Sequence, residues 1–251
     1  MIQHRHCKKE GEFQSMNTYE SPKGMIIPIT KESDFPLLDV SDVIALEKQI
    51  EAAGTSLLTL MKRAGAAIAE IAEQSLEDTG SIVILSGNGN NGGDGWIAAN
   101  MLAKNGYPVD LLTSKDPEEI KAQPALEAIE EISEALPKIM KVHVEPATDD
   151  AKEIISKADV IIDALLGTGF NGESVKEPFA SWIELANNSD ACIISADVPS
   201  GLSAQNGSHA EPTIIADATV TMLAVKPGLI DDLALSFTGN LYLAELNGDE
   251  D

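Results

Sequence analysis

The sequence predicts an α/β fold, a three-layer αβα sandwich around a mostly parallel central sheet, preceded by two N-terminal helices. Three observations predict it. Short apolar runs (SIVILS, PVDLLTS, KVHVEP, ADVIIDALL, ACIISAD, ATVTML and NLYLAEL) alternate with helical segments over residues 81–246. ADVIIDALL and ACIIS are continuously apolar rather than alternating, as strands covered by helices on both faces must be. The first run leads straight into GNGNNGGDG, residues 87–95, the kind of glycine-rich strand-to-helix connection found in Rossmann-like sheets.

Along the chain, residues 1 to about 30 are polar and patternless and read as a flexible tail, which leaves one domain over residues 31–251. The tail's His4, His6 and Cys7 lack the folded frame that metal-binding geometry requires. DVSDVIALEKQIEAAG then sets Val43, Leu46 and Ile50 at helical spacing, and TSLLTLMKRAGAAIAEIAEQSLE gives a longer, Ala-rich helix capped by Thr55 or Ser56. The strand-forming runs follow. Between the second and third lies KDPEEIKAQPALEAIEEISEALPKI, an acidic helical region that reads as a solvated face. No internal repeat or low-complexity linker divides the domain.

Composition excludes several classes of function. A formal charge of −24, from 17 Lys and Arg against 41 Asp and Glu, opposes nonspecific binding to nucleic acid or to anionic membrane, because neutralising phosphate needs clustered cations. Aromatics at 4% leave few platforms for stacking bases. No apolar stretch approaches the ~20 residues that span a bilayer, and the N-terminus has no signal-like segment. Cys7 and Cys192 are far apart in sequence, so the expected setting is a reducing cytoplasm. In that setting Asn206-Gly207-Ser208 is no glycosylation acceptor.

Ligands of an open parallel sheet bind beyond the carboxyl ends of its strands. Those ends deliver GNGNNGGDG, Asp163 followed by ALLGTGFNGE, Asp197 followed by VPSG, and Lys226 in AVKPGL. Gly87, Gly89 and Gly92 satisfy a dinucleotide fingerprint, with a helix expected to begin near Gly95. The side chains fit that reading poorly. Asp94 would repel pyrophosphate, and the candidate ribose acids are badly placed: Asp110 begins its strand, and Asp116 follows a lysine past its end. Oxygens of Asn91, Asp163 and Ser200, with backbone carbonyls, instead compose an all-oxygen set suited to a hard cation, leaving Asn90 and Asp94 for a polar ligand. Each loop alone is compatible with simple capping and turn formation; their convergence points to a site. His143, in an expected strand, and His209, in a polar loop, are left outside it.

GNGNNGGDG, DALLGTGFNGE, DVPSGL and ADATVTMLAVKPGL, in this order on these strand ends, resemble the four signatures of the YjeF N-terminal family, the NAD(P)H-hydrate epimerases. The likeness runs from about Leu38 to Leu246, and TGNLYLAEL resembles the end of the epimerase half of bacterial bifunctional enzymes. The resemblance implies interconversion of the R and S forms of hydrated NADH or NADPH, NAD(P)HX, with no residue tied to a 2′-phosphate. It implies substrate contacts from Asn90, Asn91, Gly92, Gly93 and Asp94, from Gly167, Thr168, Gly169, Phe170, Asn171, Gly172 and Glu173, and from Asp197. A potassium ion falls on Asn91, Asp163 and Ser200. Expected partners are an ADP- or ATP-dependent NAD(P)HX dehydratase and a second copy of the chain in a homodimer. Gln205-Asn206-Gly207 replaces the family's usual Asp-Thr-Gly, and the glycine expected soon after is missing from SHAEP.

On this reading the reacting carbon, C6, bears a hydroxyl and bonds the ring nitrogen. Such a hemiaminal loses its configuration by ring opening or by nitrogen-assisted departure of the hydroxyl, and both routes move protons on oxygen. Asp197, at a strand end, is the expected main acid/base; Asp94 is the candidate second proton-transfer group, and Lys226 the group that binds phosphate or stabilises charge. Two rivals follow from the same fold: a noncatalytic nucleotide-binding scaffold and an NAD(P)-dependent oxidoreductase.

Overall fold

In the computed structural model, which describes residues 19–21, 24–30, 34–76 and 80–247, all seven apolar runs become strands of one sheet. In chain order the elements are β1 (Tyr19–Ser21), β2 (Gly24–Pro28), α1 (Val40–Ala52), α2 (Leu57–Ser75), β3 (Ile82–Ser86), α3 (Asn90–Lys104), β4 (Val109–Thr113), α4 (Ala125–Glu134) and β5 (Met140–Val144). There follow α5 (Thr148–Ile155), β6 (Val160–Ala164), α6 (Phe179–Asn187), β7 (Cys192–Ala196), β8 (Ala218–Met222), the single turn α7 (Leu235–Thr238) and β9 (Asn240–Ala244). Among the described residues the sheet order is β1-β2-β9-β8-β7-β6-β3-β4-β5, parallel from β9 to β5 and antiparallel where β2 meets β1 and β9.

The chain enters the parallel part at its middle. It winds outward through β4 and β5, returns to lay β6 beside β3, and winds the other way through β7, β8 and β9. The connections after β3 and β6 therefore diverge, which opens a crevice at the carboxyl ends of those two strands. Registers of Leu85 with Asp163 and of Asp163 with Ser195 set the acid at the floor of this crevice.

Every residue of β3, β6, β7 and β8 is buried, as expected for β6 and β7 from their continuous apolar runs. One apolar cluster joins a sheet face to α1, α2, α3 and α4; a second joins the opposite face to α5 and α6. The sandwich thus has its three layers. Of the two candidate caps for α2, Ser56 is the one used: its hydroxyl accepts the Thr59 N–H at 3.0 Å.

Three expectations need correction. Part of the segment read as tail enters the sheet, because Ile26, Ile27 and Pro28 pair with Ala244, Leu243 and Tyr242 of β9; its apolar Met25-Ile26-Ile27 is too short to stand out as a pattern. The acidic region is not one helix: it divides into a turn of 3-10 helix at Pro117–Glu119 and α4, with Pro124 between them. Cys192 is buried in β7 and disulfide-bonded rather than reduced, so cysteine usage gives no argument for a reducing compartment. His4, His6 and Cys7 lie outside the described residues. No described helix is long and apolar enough to cross a membrane.

Candidate functional site

A cleft of about 710 Å³ opens at the divergence of β3 and β6. Its floor comes from strand ends and its far wall from the two N-terminal helices, which contribute Val43 and Ile44 of α1 and Leu57, Leu60 and Met61 of α2. The helices that precede the sheet in sequence thus complete its binding crevice.

The helix after β3 begins at Asn90, with Gly89 as N-cap, five residues earlier than the glycine fingerprint suggested. The reason is packing. A Cβ on Gly92 would lie 2.0 Å from the Gly87 carbonyl oxygen, and one on Gly87 would lie 1.8 Å from that of Leu165. Loop, helix and β6 connection therefore press together backbone to backbone, which only glycine permits. Gly93 fills the same role toward α2, where a Cβ would meet Met61 Sδ at 2.7 Å. Gly92 and Gly93 are buried and do not line the cleft, whereas Asn90, Asn91 and Asp94 of the helix's opening turns do. Asn88 pins the loop to the end of β4 through its amide donation to Ser114 Oγ, at 3.0 Å.

Gly167, Thr168, Gly169 and Phe170 line the cleft from the β6 connection. Asn171, Gly172 and Glu173 lie on the exposed chain beyond it, outside the cleft lining. Asp110 and Asp116, the candidate ribose acids, are both engaged elsewhere: Asp110 Oδ1 is 2.7 Å from His143 Nε2 on the neighbouring strand, and Asp116 accepts the Glu118 N–H at 3.0 Å.

Beneath the cleft floor lies Asp163, fully buried and carrying four donors. Ser195 Oγ and the Ser200 N–H donate to Oδ2 at 2.9 and 2.8 Å; Ser200 Oγ and the Leu165 N–H donate to Oδ1 at 2.5 and 3.3 Å. Burial raises the Asp163 carboxyl above the usual range, and these hydrogen bonds pull it partly back. Ser200 Oγ also accepts the Leu166 N–H at 2.9 Å, so Asp163 and Ser200 knit the β6 and β7 connections together.

Asn91 is the third residue expected to hold a cation. Its side chain packs under Gly167, and its Nδ2 is buried with no hydrogen-bond partner among the described residues. An orphaned buried amide costs on the order of 1–3 kcal/mol. Its two ends are interchangeable by a flip, which would turn an oxygen toward the same spot. Among the described residues no three His, Cys, Asp or Glu side chains gather as a metal-binding group. A cation here would be held by one carboxylate and neutral oxygens, a donor set that fits a singly charged ion.

The β7 and β8 connections bring the remaining charge. Asp197 sits at φ +62°, a left-handed conformation that turns its carboxylate to the cleft. Lys226, 1% exposed, donates to Asp197 Oδ1 at 2.5 Å, to Thr221 Oγ1 at 3.0 Å and to the Met222 carbonyl at 2.9 Å. All three ammonium protons are taken. Thr221 Oγ1 and the Met222 N–H also donate to Asp197 Oδ1, at 3.1 and 3.2 Å.

Asp94 faces this pair with no hydrogen bond to its carboxyl among the described residues. Burial, then the carboxyls of Asp197 and Glu47, push it well above the usual carboxylate range, and Lys226 offsets part of the rise. Glu47 is the functional candidate the sequence reading overlooked. It reaches the cleft from α1, and burial and Asp197 raise it while Lys226 lowers it. Its signal was its place one turn beyond the buried Val43, on the inward border of the apolar stripe.

Comparisons with known proteins give the family of the chain. A family model described as YjeF-related protein N-terminus matches residues 57–228. A bifunctional NAD(P)H-hydrate repair enzyme of Hyperthermus butylicus is 37% identical over 189 residues, 75% of this chain and 34% of that protein. An NAD(P)H-hydrate epimerase of Lentilactobacillus buchneri is 33% identical over 201 residues, 80% of this chain and 88% of that protein. The chain thus spans about a third of the length of the bifunctional relatives, and of the Lentilactobacillus protein it matches nearly all. In fold it resembles the crystal structure of yeast ynu0, with a TM-score of 0.66 and 23% identity over 76% of this chain and 82% of that one.

Proposed function

Because the chain belongs to the YjeF-related protein N-terminus family, we propose that it is an NAD(P)H-hydrate epimerase, an isomerase that interconverts the R and S forms of hydrated NADH or NADPH at C6. The observation that carries the reading is the convergence of Asn90, Asp94, Asp197 and Lys226 on one cleft, beside the Gly167–Phe170 connection. The scaffold and oxidoreductase readings leave these clustered carboxyls without a task.

The proposed reaction uses the charge pattern directly. Asp94, whose proton is held more tightly than usual by burial and by the neighbouring carboxyls, gives that proton to the C6 hydroxyl oxygen as the C–O bond breaks and water leaves. The ring nitrogen's lone pair forms a C=N bond, and the resulting cation lies near Asp197, whose carboxylate offsets its charge. Water then adds to the other face, the nitrogen recovers its pair, and Asp197 takes the proton from the incoming oxygen. Lys226 holds Asp197 in place. Asn90, at the helix start, is available for the polar parts of the substrate, and the apolar wall excludes competing water.

Potassium on Asn91, Asp163 and Ser200 is part of the proposal. The orphaned Asn91 amide and the single-carboxylate donor set support it; a bound cation would fix the β6 and β7 connections and add local positive charge. We place the activity upstream of an ADP- or ATP-dependent dehydratase acting on one epimer, in the cytoplasm, and in a homodimer whose stoichiometry sedimentation would check.

The test starts from one purified hydrate epimer and follows its interconversion with protein in potassium, then in sodium. Acceleration over the spontaneous rate is expected, larger in potassium. No acceleration in either salt overturns the epimerase reading.

A further inference from the structure

Among the described residues four titratable side chains line the cleft: Glu47, Asp94, Asp197 and Lys226. Three acids face one base, and in a low-dielectric crevice three carboxylates cannot all carry charge cheaply. Hydrogen bonds separate them into two kinds. Asp197 is tied to Lys226, Thr221 and the Met222 N–H, whereas Glu47 and Asp94 have no hydrogen bond to their carboxyls among the described residues. Asp94 already has a role as the acid.

Glu47 reaches the cleft from a different element than Asp94. It is half-buried on α1, at the wall of the cleft, and it interacts electrostatically with Asp197, with Lys226 and with Asp94. Its helix is also anchored. The Leu38 N–H donates to the Val225 carbonyl at 3.0 Å, one residue before Lys226, and the Val225 N–H donates to the Pro36 carbonyl at 2.9 Å. Gln205 then binds the helix start, accepting the Val40 N–H at 3.1 Å and donating to Asp39 Oδ1 at 2.9 Å.

The proposed reaction leaves a proton in the wrong place. One passage converts Asp94 from acid to carboxylate and Asp197 from carboxylate to acid, with no net gain or loss of protons. A second passage in the same direction needs that proton returned. We propose that Glu47 is the proton relay of the cleft, accepting the proton from Asp197 and delivering it to Asp94, with exchange to water at its exposed side. The two transfers sum to movement of one proton between carboxyls and need no oxidant, reductant or co-reactant. Burial and Asp197 both raise Glu47, which suits a group that must hold a proton briefly. The relay rests on the epimerase reading, so the experiment must separate their failures.

The test compares wild type, Glu47→Gln and Glu47→Asp as full chains with a single hydrate epimer. For Glu47→Gln the first turnover is expected within about twofold of wild type, with KM similarly unchanged and steady-state turnover down at least about tenfold. Added formate or imidazole is expected to restore several-fold of the lost rate in Glu47→Gln and to leave wild type unaffected. Glu47→Asp should recover part of the rate without added buffer. Wild-type steady-state turnover in Glu47→Gln overturns the relay alone. Loss of the first turnover together with the steady state, unrescued by either buffer, overturns it in favour of a structural role. If wild type itself does not accelerate interconversion, the epimerase reading falls and the relay with it.

Discussion

The ammonium of Lys226 lies 2.5 Å from Oδ1 of Asp197, and the lysine is 1% exposed while the aspartate side chain keeps 15% exposure toward the cleft. The pair joins the connection after β7 to the connection after β8 and leaves Asp197 as its reactive end. Lys226→Met would strand a carboxylate at the cleft floor, with an expected cost of about 3 kcal/mol in urea unfolding. Adding Asp197→Asn to that variant should recover part of the loss, since it removes the uncompensated charge. A double-variant loss equal to the sum of the Lys226→Met and Asp197→Asn losses would mean that the pair is energetically uncoupled.

Asp94 makes stability depend on pH. Its folded-state carboxyl is raised by burial and by Asp197 and Glu47, so the native state binds this proton more tightly than the unfolded chain does. The associated stability is fully present below the ordinary aspartate range and is lost as pH rises through the folded value. Asp94→Asn removes this contribution, so its melting temperature should gain on wild type as pH rises from weakly acid to alkaline. Glu47 and Asp163 shift in the same sense and remain in both proteins, which makes the difference between the two melting curves the informative quantity. A difference that stays constant with pH would contradict the assignment. In the epimerase assay, wild-type turnover should fall as the same proton is lost.

Gly92 and Gly89 predict opposite responses to alanine. A Cβ on Gly92 meets the Gly87 carbonyl at 2.0 Å, whereas one on Gly89 meets nothing within 4 Å. Gly92→Ala should cost about 2 kcal/mol by overpacking and, by displacing the start of α3 with Asn91 and Asp94, lower kcat/KM about 100-fold. Gly89→Ala should stay within about 1 kcal/mol of wild type, the scale of an N-cap exchange. Thermal melts and initial rates read both.

The proposal that potassium binds at Asn91, Asp163 and Ser200 predicts a salt-specific melting temperature. An ion that binds only the folded chain adds about 2.7 kcal/mol at a hundredfold excess over its Kd. Potassium should therefore raise the melting temperature of wild type above its value in sodium at equal ionic strength. Asn91→Leu should abolish that difference while filling the space of the orphaned amide with apolar atoms. Retention of the potassium-specific rise in Asn91→Leu would remove Asn91 from the ion's coordination.

Much of this was legible in the residue order because unbroken apolar runs leave little freedom: VIIDA and CIISA become buried parallel strands, and the strand ends carry Asp163, Asp197 and Ser200 to one side of the sheet. What could not be read was any contact between residues distant in the chain. The pairing of β2 with β9 depends on a partner more than 200 residues away, and a three-residue apolar run gives no periodicity to detect. The helix start at Asn90 was masked because glycines ordinarily signal loops, while here they are required by backbone approach. The partners of Lys226 were not readable, since only the fold reveals that Thr221, Met222 and Asp197 surround it. Glu47 escaped notice because a single carboxylate on an acidic helix carries no pattern until Asp94 and Asp197 are seen across the cleft.

The antiparallel register of Ile26 with Ala244 and Pro28 with Tyr242 has a mechanical consequence. β2 and the last strand, β9, lie side by side, with the start of β2 beside the end of β9. Force applied at the two termini would open their hydrogen bonds successively, like a zipper, instead of loading the ladder all at once in shear. In a tandem protein pulled from its ends, this edge would therefore peel at low force while the parallel strands that hold Asp163 and Asp197 remained shut.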